Sequence, residues 1–531
     1  MTDNQRYIKC TTSDSRALLS CKARGIGFTA LLTYGLLSGQ QVIAKDAPAA
    51  ATVFAAYTLV APVKQVPSGL LARAVVPAGV SCPMLHANHG NNRGKALWHD
   101  EEMTERKAPE GTRPAFTAVR VCEALIPKDA LEARIGPFTI PARLPKQMSR
   151  IAVFGDTGCR VGQQDCTDPE QWPLARIAEH IAAAKPQVIL FLGDFFYREI
   201  PCPDIQTRWC GGTPGPIPTY GFLDTDYSWI ADALIPMRSV FSTAPLLVLR
   251  GNHEACKSGG NGYFLFFDPR RDTAAVCAPK SLGGDVPINS ITDPWSTVLP
   301  IRPDWKLQLV LVDSASPYQG DFDVISHGTD WAEANRASFQ RAAELTQRQR
   351  GVESWLLVHR PIFGVAYKTS CPNSSSGGCY LWSSVPVTAA SYGLLDHYNL
   401  ILSSHLHLTQ AAQIPGQPPQ LAIGNGGTAL YDDVPYPIPV SGPLEGVQNL
   451  PPWVTSVYPP AQSLWTAVRH GYVLLYPGAQ RGHWTWQHHA PDGKQFARCV
   501  QAGKTLDCRL DKPIPSDRAS DPIGHRTRPG H

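Results

Sequence analysis

The chain has 531 residues, of which 43% are hydrophobic and 17% are charged. This composition is that of a folded globular protein, and the length exceeds what one compact core usually holds, which favours two domains. The formal net charge of +4 is small for this size, so nothing in the charge balance points to a nucleic-acid partner.

The first 44 residues have the pattern of an export signal. Lys22 and Arg24 precede an apolar run at residues 25–37, and small residues follow up to Ala44, as at a signal-peptidase site. The run is short for a membrane span, and the alternative is a buried helix of a longer domain. We predict a signal peptide at residues 1–44, a secreted or periplasmic protein, and no transmembrane anchor.

The cysteines support export. Of the 14 cysteines, two lie within residues 1–44 and twelve follow, which is the even number expected of disulfides in an oxidising compartment. The alternative is a zinc cluster, but that needs closely spaced CxxC pairs, and the sequence has none. The pairs expected from proximity are Cys82–Cys122, Cys159–Cys166, Cys202–Cys210, Cys256–Cys277, Cys371–Cys379 and Cys499–Cys508.

Residues 45–148 contain short apolar runs, for example TVFAAYTLVA, that are broken by proline, glycine and charged turns. This pattern is typical of short strands. We predict a small β-sandwich-like domain there, without a cluster of catalytic side chains.

From residue 149 onward, apolar strands alternate with amphipathic helices. The strands RIAVFGD and VILFLGD are separated by a predicted helix over residues 171–185, and a second helix is predicted over residues 330–350. This alternation predicts an α/β core with buried sheets over residues 149–511. The polar, proline-rich residues 512–531 predict a disordered tail. His488 and His489, in the strand HWTWQHH, are expected at the surface.

Polar side chains follow five of these strands. One such residue alone is usually a cap or a structural group, but five in order after apolar strands form a pattern. Ligands of α/β folds gather at the carboxyl ends of strands, so we expect these side chains to meet there. They are Asp156 in GDTG, Asp194 and Tyr197 in GDFFY, Asn252 and His253 in GNHE, His359 in VHRP, and His405 and His407 in SSHLH.

This ordered set resembles the calcineurin-like metallophosphoesterase superfamily, over roughly residues 150–430. The tyrosine three residues after the second aspartate resembles the purple acid phosphatases in particular. The resemblance implies an α/β (α+β) fold, a four-layer αββα sandwich of two mixed sheets, preceded by the small β-sandwich-like domain. The family usually has glycine before the final HxH, where this chain has Ser404, and we expect this small residue to preserve the turn.

The resemblance also implies a dinuclear metal centre, with Fe(III) in one of its two sites. Asp156, Tyr197 and His407 would bind this ion, and Asp194 would bridge it to the second. Hard oxygen donors suit a trivalent ion, and a tyrosine binds it as phenolate. The alternative is that Tyr197 only packs beside the site, in which case both metals would be divalent.

The second site would hold a divalent Zn, Fe or Mn ion. By the same resemblance its ligands are Asn252, His359 and His405, together with the bridging Asp194. His253 would not bind metal but would act as the catalytic residue beside the substrate, protonating the leaving group or stabilising charge.

The implied activity is acid phosphatase-like hydrolysis of small phosphate monoesters by direct attack of metal-bound hydroxide. An alternative within the enzyme class is a phosphodiesterase that acts on nucleotides or phospholipid head groups. Two alternatives lie outside that class: a non-catalytic protein that holds phosphate at the metals, and a disulfide-stabilised adhesion module without metal. The sequence leaves the oligomeric state open.

Overall fold

The computed structural model describes residues 53–90, 97–107, 116–200, 224–271, 273, 276–277, 290–315, 328–346, 349–368, 379–382, 387, 390–431 and 463–511. The signal peptide and the tail predicted from sequence lie outside these ranges, as do Cys202, Cys210 and Cys371. None of the helices in these ranges is long and apolar enough to cross a membrane.

Strands dominate the described residues. The first eight are β1 (Ala55–Val60), β2 (Leu70–Pro77), β3 (Met84–Asn88), β4 (Trp98–Glu102), β5 (Thr104–Arg106), β6 (Val119–Leu125), β7 (Glu132–Ile135) and β8 (Phe138–Ile140). The next eight are β9 (Ile151–Phe154), β10 (Val188–Phe191), β11 (Leu246–Val248), β12 (Trp295–Arg302), β13 (Trp305–Val312), β14 (Val352–Val358), β15 (Val365–Lys368) and β16 (Cys379–Trp382). The last eight are β17 (Leu400–Ser403), β18 (Thr409–Gln413), β19 (Gln420–Ile423), β20 (Ser463–Ala467), β21 (Tyr472–Pro477), β22 (His483–His489), β23 (Gln495–Ala502) and β24 (Thr505–Leu510).

Five α-helices accompany these strands in the described part of the chain. They are α1 (Leu174–Ala184), α2 (Asp226–Trp229), α3 (Arg238–Phe241), α4 (Gly260–Phe266) and α5 (Gly328–Leu345). A π-helical turn, Ile230–Leu234, continues α2, and a 3-10 turn, Asn252–Glu254, follows β11. The predicted helix over 171–185 corresponds to α1, whose buried residues are Leu174, Ile177, Ala178 and Ile181.

Two large sheets carry the fold. Within the described ranges the first has eleven strands, in the order β24-β23-β22-β21-β9-β10-β11-β1-β2-β6-β5, and the second has seven, in the order β12-β13-β14-β17-β19-β18-β20. The central strands β9, β10 and β11 are parallel, and so are β13, β14, β17 and β19. Parallel strands bring their carboxyl ends to one edge of each sheet, which is where the predicted site residues lie.

Apolar side chains alternate between the two faces of these strands. In β9, Ile151 and Val153 belong to the core between the sheets, whereas Ala152 and Phe154 face the core shared with α1 to α4. On the other side of the second sheet, Phe339 of α5 packs with Val310 and Leu356. The layers are therefore helix, sheet, sheet, helix, as the predicted four-layer sandwich requires.

The N-terminal region is rich in strands, as expected, but residue 148 is not a boundary of the sheet. β1 pairs in parallel with β11, and β2, β6 and β5 extend the same sheet, while β3, β4, β7 and β8 form a small sheet of four. All residues of β1 are buried, so both of its faces are covered, as in a central strand. The hydroxyl of Tyr57 in β1 donates to the Phe266 carbonyl of α4 at 2.7 Å, which joins this region to the helical layer.

Four of the predicted disulfides are confirmed: Cys82–Cys122, Cys159–Cys166, Cys256–Cys277 and Cys499–Cys508. The surface position predicted for His488 is wrong. Burial alternates along β22, so that His488 points inward with Trp484 and Trp486, and its side chain lies beside Cys499. His489, on the opposite face, is half-buried.

Candidate metal centre

The predicted site residues lie at the carboxyl ends of the parallel strands of both sheets. Asp156 and Asp194 follow β9 and β10, and Asn252 and His253 form the 3-10 turn after β11. In the second sheet, His359 directly follows β14, and His405 and His407 follow β17. The fold therefore brings together residues that are up to 251 positions apart in the sequence.

The backbone at this edge is strained. Asp156, Asp194 and His405 have φ values of 54°, 60° and 69°, and Lys185, which ends α1, is the only other non-glycine residue with positive φ in the described ranges. A left-handed conformation costs a residue with a Cβ about 1–3 kcal/mol. At three strand ends the chain accepts this strain, and in each case the residue concerned belongs to the predicted site.

Close backbone approach requires glycine beside these residues. A Cβ on Gly251 would lie 2.0 Å from Asp194 Oδ1, and one on Gly193 would lie 2.7 Å from His359 Nδ1. The glycines in the GDFFY and GNHE motifs are therefore fixed by packing around the carboxylate.

Three acceptors converge on the hydroxyl of Tyr197. Its oxygen lies 3.0 Å from Asp156 Oδ1, 2.9 Å from Asp194 Oδ2 and 2.9 Å from His407 Nε2. His407 Nδ1 lies 2.7 Å from the Ala429 carbonyl and donates to it, so its Nε2 carries a lone pair. One hydroxyl proton satisfies only one of these three acceptors, and the set therefore fits a bound cation better than it fits a hydrogen-bond network.

A second group of acceptors shares Asp194. His359 Nε2 lies 3.1 Å from Asp194 Oδ2 and 2.9 Å from Asn252 Oδ1, while its Nδ1 donates to the Leu192 carbonyl at 2.8 Å. Asp194, His359 and His405 each offer a ligand atom, and these atoms lie within 4.8 Å of one another. Burial lowers the pKa of His359, but the charge of Asp194 outweighs burial and raises it to about 9, so in metal-free protein Nε2 carries a proton that faces these two oxygens. A carbonyl-bound Nδ1 that leaves Nε2 for a metal in place of this proton is the usual arrangement of a metal-binding histidine.

The electrostatics of the site also fit a cation. Burial and the Asp194 charge raise the pKa of Asp156 to about 8. Burial and the charges of Asp156 and Asp194 raise the pKa of Tyr197 well above its usual range. Burial holds the pKa values of His405 and His407 well below their usual range. At Asp194 burial also disfavours the charged form, but the charges of His359 and His253 outweigh burial and hold the pKa of this carboxyl well below its usual range. Without metal, the site therefore disfavours the anionic forms of Asp156 and Tyr197, and a positive ion would reverse that preference.

Glu254 holds the turn after β10 that carries Asp194. Its buried carboxylate accepts hydrogen bonds from the backbone N–H groups of Asp194, Phe195, Phe196 and Gly251, at 2.8 to 3.1 Å. Four backbone donors on one carboxylate fix the turn that presents Asp194. Glu254 directly follows His253 in the motif GNHE, and the structure gives it this positioning contact.

His253 lies at the mouth of the site, half-buried. Its Nδ1 lies 2.8 Å from Glu199 Oε1, which also accepts from the Ser258 hydroxyl at 2.8 Å. Burial lowers the pKa of His253, but the charges of Glu199 and Asp194 outweigh burial and raise it overall. Glu199 was not predicted, although it stands only two residues after Tyr197 in the motif GDFFYRE.

Two further neighbours were missed at the level of sequence. The Ser404 hydroxyl donates to Asp156 Oδ2, and the His405 N–H donates to the same oxygen at 2.9 Å. Ser404 therefore makes a hydrogen bond that glycine cannot make, and the sequence did not indicate this contact. Tyr431 stacks on His407, with ring centroids 4.8 Å apart. No sequence signal pointed to Tyr431.

Comparison with known proteins agrees with this geometry. Residues 149–408 match the family model of the calcineurin-like phosphoesterases. The chain carries a calcineurin-like phosphoesterase domain. It is a phosphoric ester hydrolase, and this family implies a dinuclear metal centre and action on small phosphate esters. No curated protein sequence matches the chain at a significant level.

The chain is also similar to solved structures, and the first of them shares its fold. The structure of PhoD is 11% identical in sequence, with a TM-score of 0.51, and the match covers 87% of this chain and 93% of that one. Purple acid phosphatase PPD1 from yellow lupin (Lupinus luteus) seeds is 12% identical, with a TM-score of 0.47, over 83% of this chain and 73% of that one.

Proposed function

We propose that this phosphoesterase is an exported acid phosphatase that hydrolyses phosphate monoesters at a mixed Fe(III)–divalent centre. The observation that carries the proposal is the pair of acceptor clusters that share Asp194. One consists of carboxylates, a phenol and an imidazole, and the other of an amide and imidazoles. The first cluster offers mainly hard oxygen donors and the second mainly imidazole nitrogens. The two clusters, on either side of Asp194, therefore suit two different ions.

The residues are assigned to the two ions by these clusters. Fe(III) would be held by Asp156, Tyr197 and His407, the divalent Zn, Fe or Mn ion by Asn252, His359 and His405, and both by Asp194. Bound metals supply Lewis-acid activation of water and of the phosphoryl oxygens. The assignment of Tyr197 to iron rests on its hydroxyl lying between Asp156 and Asp194.

The chain's own groups then orient the substrate and move protons. His253 lies above the bridging residue, because its backbone N–H donates to Asp194 Oδ1 at 2.9 Å. Glu199 accepts a hydrogen bond from Nδ1 at 2.8 Å, so Nε2 is the atom that would exchange a proton with the leaving group. The deep burial of Asp156 and Asp194 keeps bulk water away from the ligand oxygens.

The disulfides support export of the protein. Four cysteine pairs within the described ranges are oxidised, and disulfides persist mainly in secreted and periplasmic proteins. We therefore retain the secreted or periplasmic location as part of the proposal. The signal peptide at residues 1–44 is tested by determining the N-terminus of the mature protein after expression in an exporting host.

The direct test compares p-nitrophenyl phosphate with bis(p-nitrophenyl) phosphate on the purified, metal-loaded protein. We expect a higher kcat/KM for the monoester, and we expect Asp194→Asn to abolish its hydrolysis. A higher kcat/KM for the bis-ester would replace the proposal by a phosphodiesterase. Two bound metals without hydrolysis of either ester would favour a protein that only holds phosphate.

A further inference from the structure

Arg160 carries a permanent positive charge next to the candidate metal centre. It is not one of the candidate metal ligands. Its guanidinium carbon lies 4.9 Å from the ring centroid of Tyr197, and its Nη2 lies 3.5 Å from His253 Nε2. The side chain is half-buried, so it remains open to a ligand from solvent. No carboxylate of the described residues lies within ion-pair distance of its nitrogens, although its charge is among the causes that lower the pKa of Glu199.

The loop that carries Arg160 is fixed on both sides. Cys159 and Cys166 close it with a disulfide, and Arg160 N–H donates to Gln164 Oε1 at 3.1 Å. The amide of Gln164 in turn donates to the Gly427 carbonyl at 2.9 Å. A guanidinium on a braced loop loses little conformational freedom when it binds an anion.

One carboxylate couples this loop to the tyrosine. Asp232 Oδ1 accepts from the Cys159 N–H at 3.3 Å, and its Oδ2 accepts from the Tyr197 N–H at 3.1 Å. The backbones on which Arg160 and Tyr197 stand are therefore held in one arrangement, which fixes the guanidinium above the phenol ring.

We propose that Arg160 binds a non-bridging oxygen of the phosphoryl group and thereby makes the site selective for dianionic phosphate monoesters over monoanionic diesters. This inference rests on the proposed function and deepens it. An oxygen within hydrogen-bonding range of Arg160 Nη2 can also reach His253 Nε2, because the two nitrogens are 3.5 Å apart. Glu199 lies at the other ring nitrogen, away from that position.

The preference for monoesters follows from charge and oxygen count. A monoester presents three non-bridging oxygens and about two negative charges near neutral pH, whereas a diester presents two such oxygens and one charge. Hydrogen bonds from guanidinium to phosphate are among the stronger ones in proteins. A cation in addition to the metal site therefore strengthens the binding of the monoester, because the monoester has one more anionic oxygen.

The test measures inorganic phosphate binding by calorimetry and KM for both p-nitrophenyl esters, in wild type, Arg160→Gln and Arg160→Lys. We expect Arg160→Gln to weaken phosphate binding and raise the monoester KM by about tenfold to a hundredfold. The bis-ester KM and the metal content should change little. Arg160→Lys keeps the charge but loses the forked geometry, so we expect intermediate values. Arg498→Gln, on an exposed residue of β23, is the matched control.

Two results would overturn the inference: an unchanged phosphate affinity in Arg160→Gln, or equal increases of KM for both esters. Metal content and melting temperature are recorded on the same samples, so that loss of the centre is recognised. If wild type hydrolyses neither ester, the proposed function fails, but the phosphate titration still decides whether Arg160 binds the anion.

Discussion

Strand β14 has a buried carboxylate cluster near each of its ends, and the two clusters differ in what surrounds the oxygens. At its carboxyl end, His359 lies beside Asp194. At its start stands Glu353, six residues earlier, or about 20 Å away at about 3.3 Å per residue. Both carboxylates are buried, so the difference between the clusters lies in their partners.

Glu353 is satisfied by donors of the chain itself. Its oxygens accept from the indole N–H groups of Trp305 at 3.0 Å, Trp355 at 2.7 Å and Trp484 at 3.1 Å. Trp484 belongs to the first sheet and the other two to the second, so one carboxylate holds the two sheets together. Asp156 and Asp194 each have one oxygen that accepts from the chain, from the Ser404 hydroxyl and the His405 N–H or from the His253 N–H. Their other oxygens share the single Tyr197 hydroxyl with His407 Nε2. A buried carboxylate whose oxygens all face donors supports the fold, whereas carboxylate oxygens and an imidazole grouped around one hydroxyl offer ligands to a cation.

The largest effect should come from removing the shared carboxylate. We expect Asp194→Asn to lower kcat/KM for a monoester by roughly 10³-fold or more, because both clusters lose their common oxygen ligand. Metal analysis of the same sample should show loss of bound metal. Glu353→Gln is the matched control, since it changes a buried carboxylate far from the site, and it should keep the metals. A fully loaded and active Asp194→Asn would contradict the assignment.

A smaller loss is expected at the mouth of the site. His253→Ala should lower kcat by about 10²- to 10⁴-fold, the usual contribution of a general acid, and should leave the metal content unchanged. Glu199→Gln should give a partial loss, because it disturbs the orientation of the imidazole and not the proton donor itself. Unchanged turnover in His253→Ala would remove this residue from the mechanism.

A change in the Glu353 cluster should lower the stability of the protein and not its activity. Glu353→Leu leaves three buried indole N–H groups without an acceptor, each at a cost of about 1–3 kcal/mol. We expect the free energy of unfolding to fall by about 3 kcal/mol or more, measured by denaturant titration, while kcat per folded molecule stays near that of wild type. A loss of turnover without a loss of stability would mean that the two ends of β14 are not independent.

The smallest effect concerns the pH dependence of metal-free protein. Since the pKa of Asp156 is raised to about 8, against an ordinary value near 4, the folded state keeps a proton that the unfolded chain has released. The contribution of this group to stability is therefore present below about pH 4 and is lost as pH rises towards 8. Asp156→Asn should lessen this decline in chelated protein, as followed by thermal unfolding. Identical pH profiles for the two proteins would contradict the raised pKa.

The sequence placed the candidate ligands at one edge because each follows a strand whose apolar pattern is clear, and parallel strands end at one edge. It did not predict Ser404 as a partner of Asp156, because the two are 248 positions apart and only the folded turn brings them together. Glu199 and Arg160 were missed for a similar reason, since the loop conformation decides where their side chains point.

Two features of the fold also escaped the sequence. The pairing of β1 with β11 joins residues nearly 190 positions apart, and hydrophobic periodicity carries no information about which strands pair. The buried position of His488 could have been predicted from the sequence, because Trp484, Trp486 and His488 occupy every second position of β22 and so share one face.

The central claim is a two-metal centre with ferric iron on Tyr197. Its most direct test is the visible absorption spectrum of the metal-loaded protein, with iron and divalent metals counted on the same sample. The account predicts two metals per chain, one of them iron, and a broad charge-transfer band that disappears in Tyr197→Phe. A colourless protein with two divalent metals would contradict the iron assignment, and a protein without metal would contradict the centre itself.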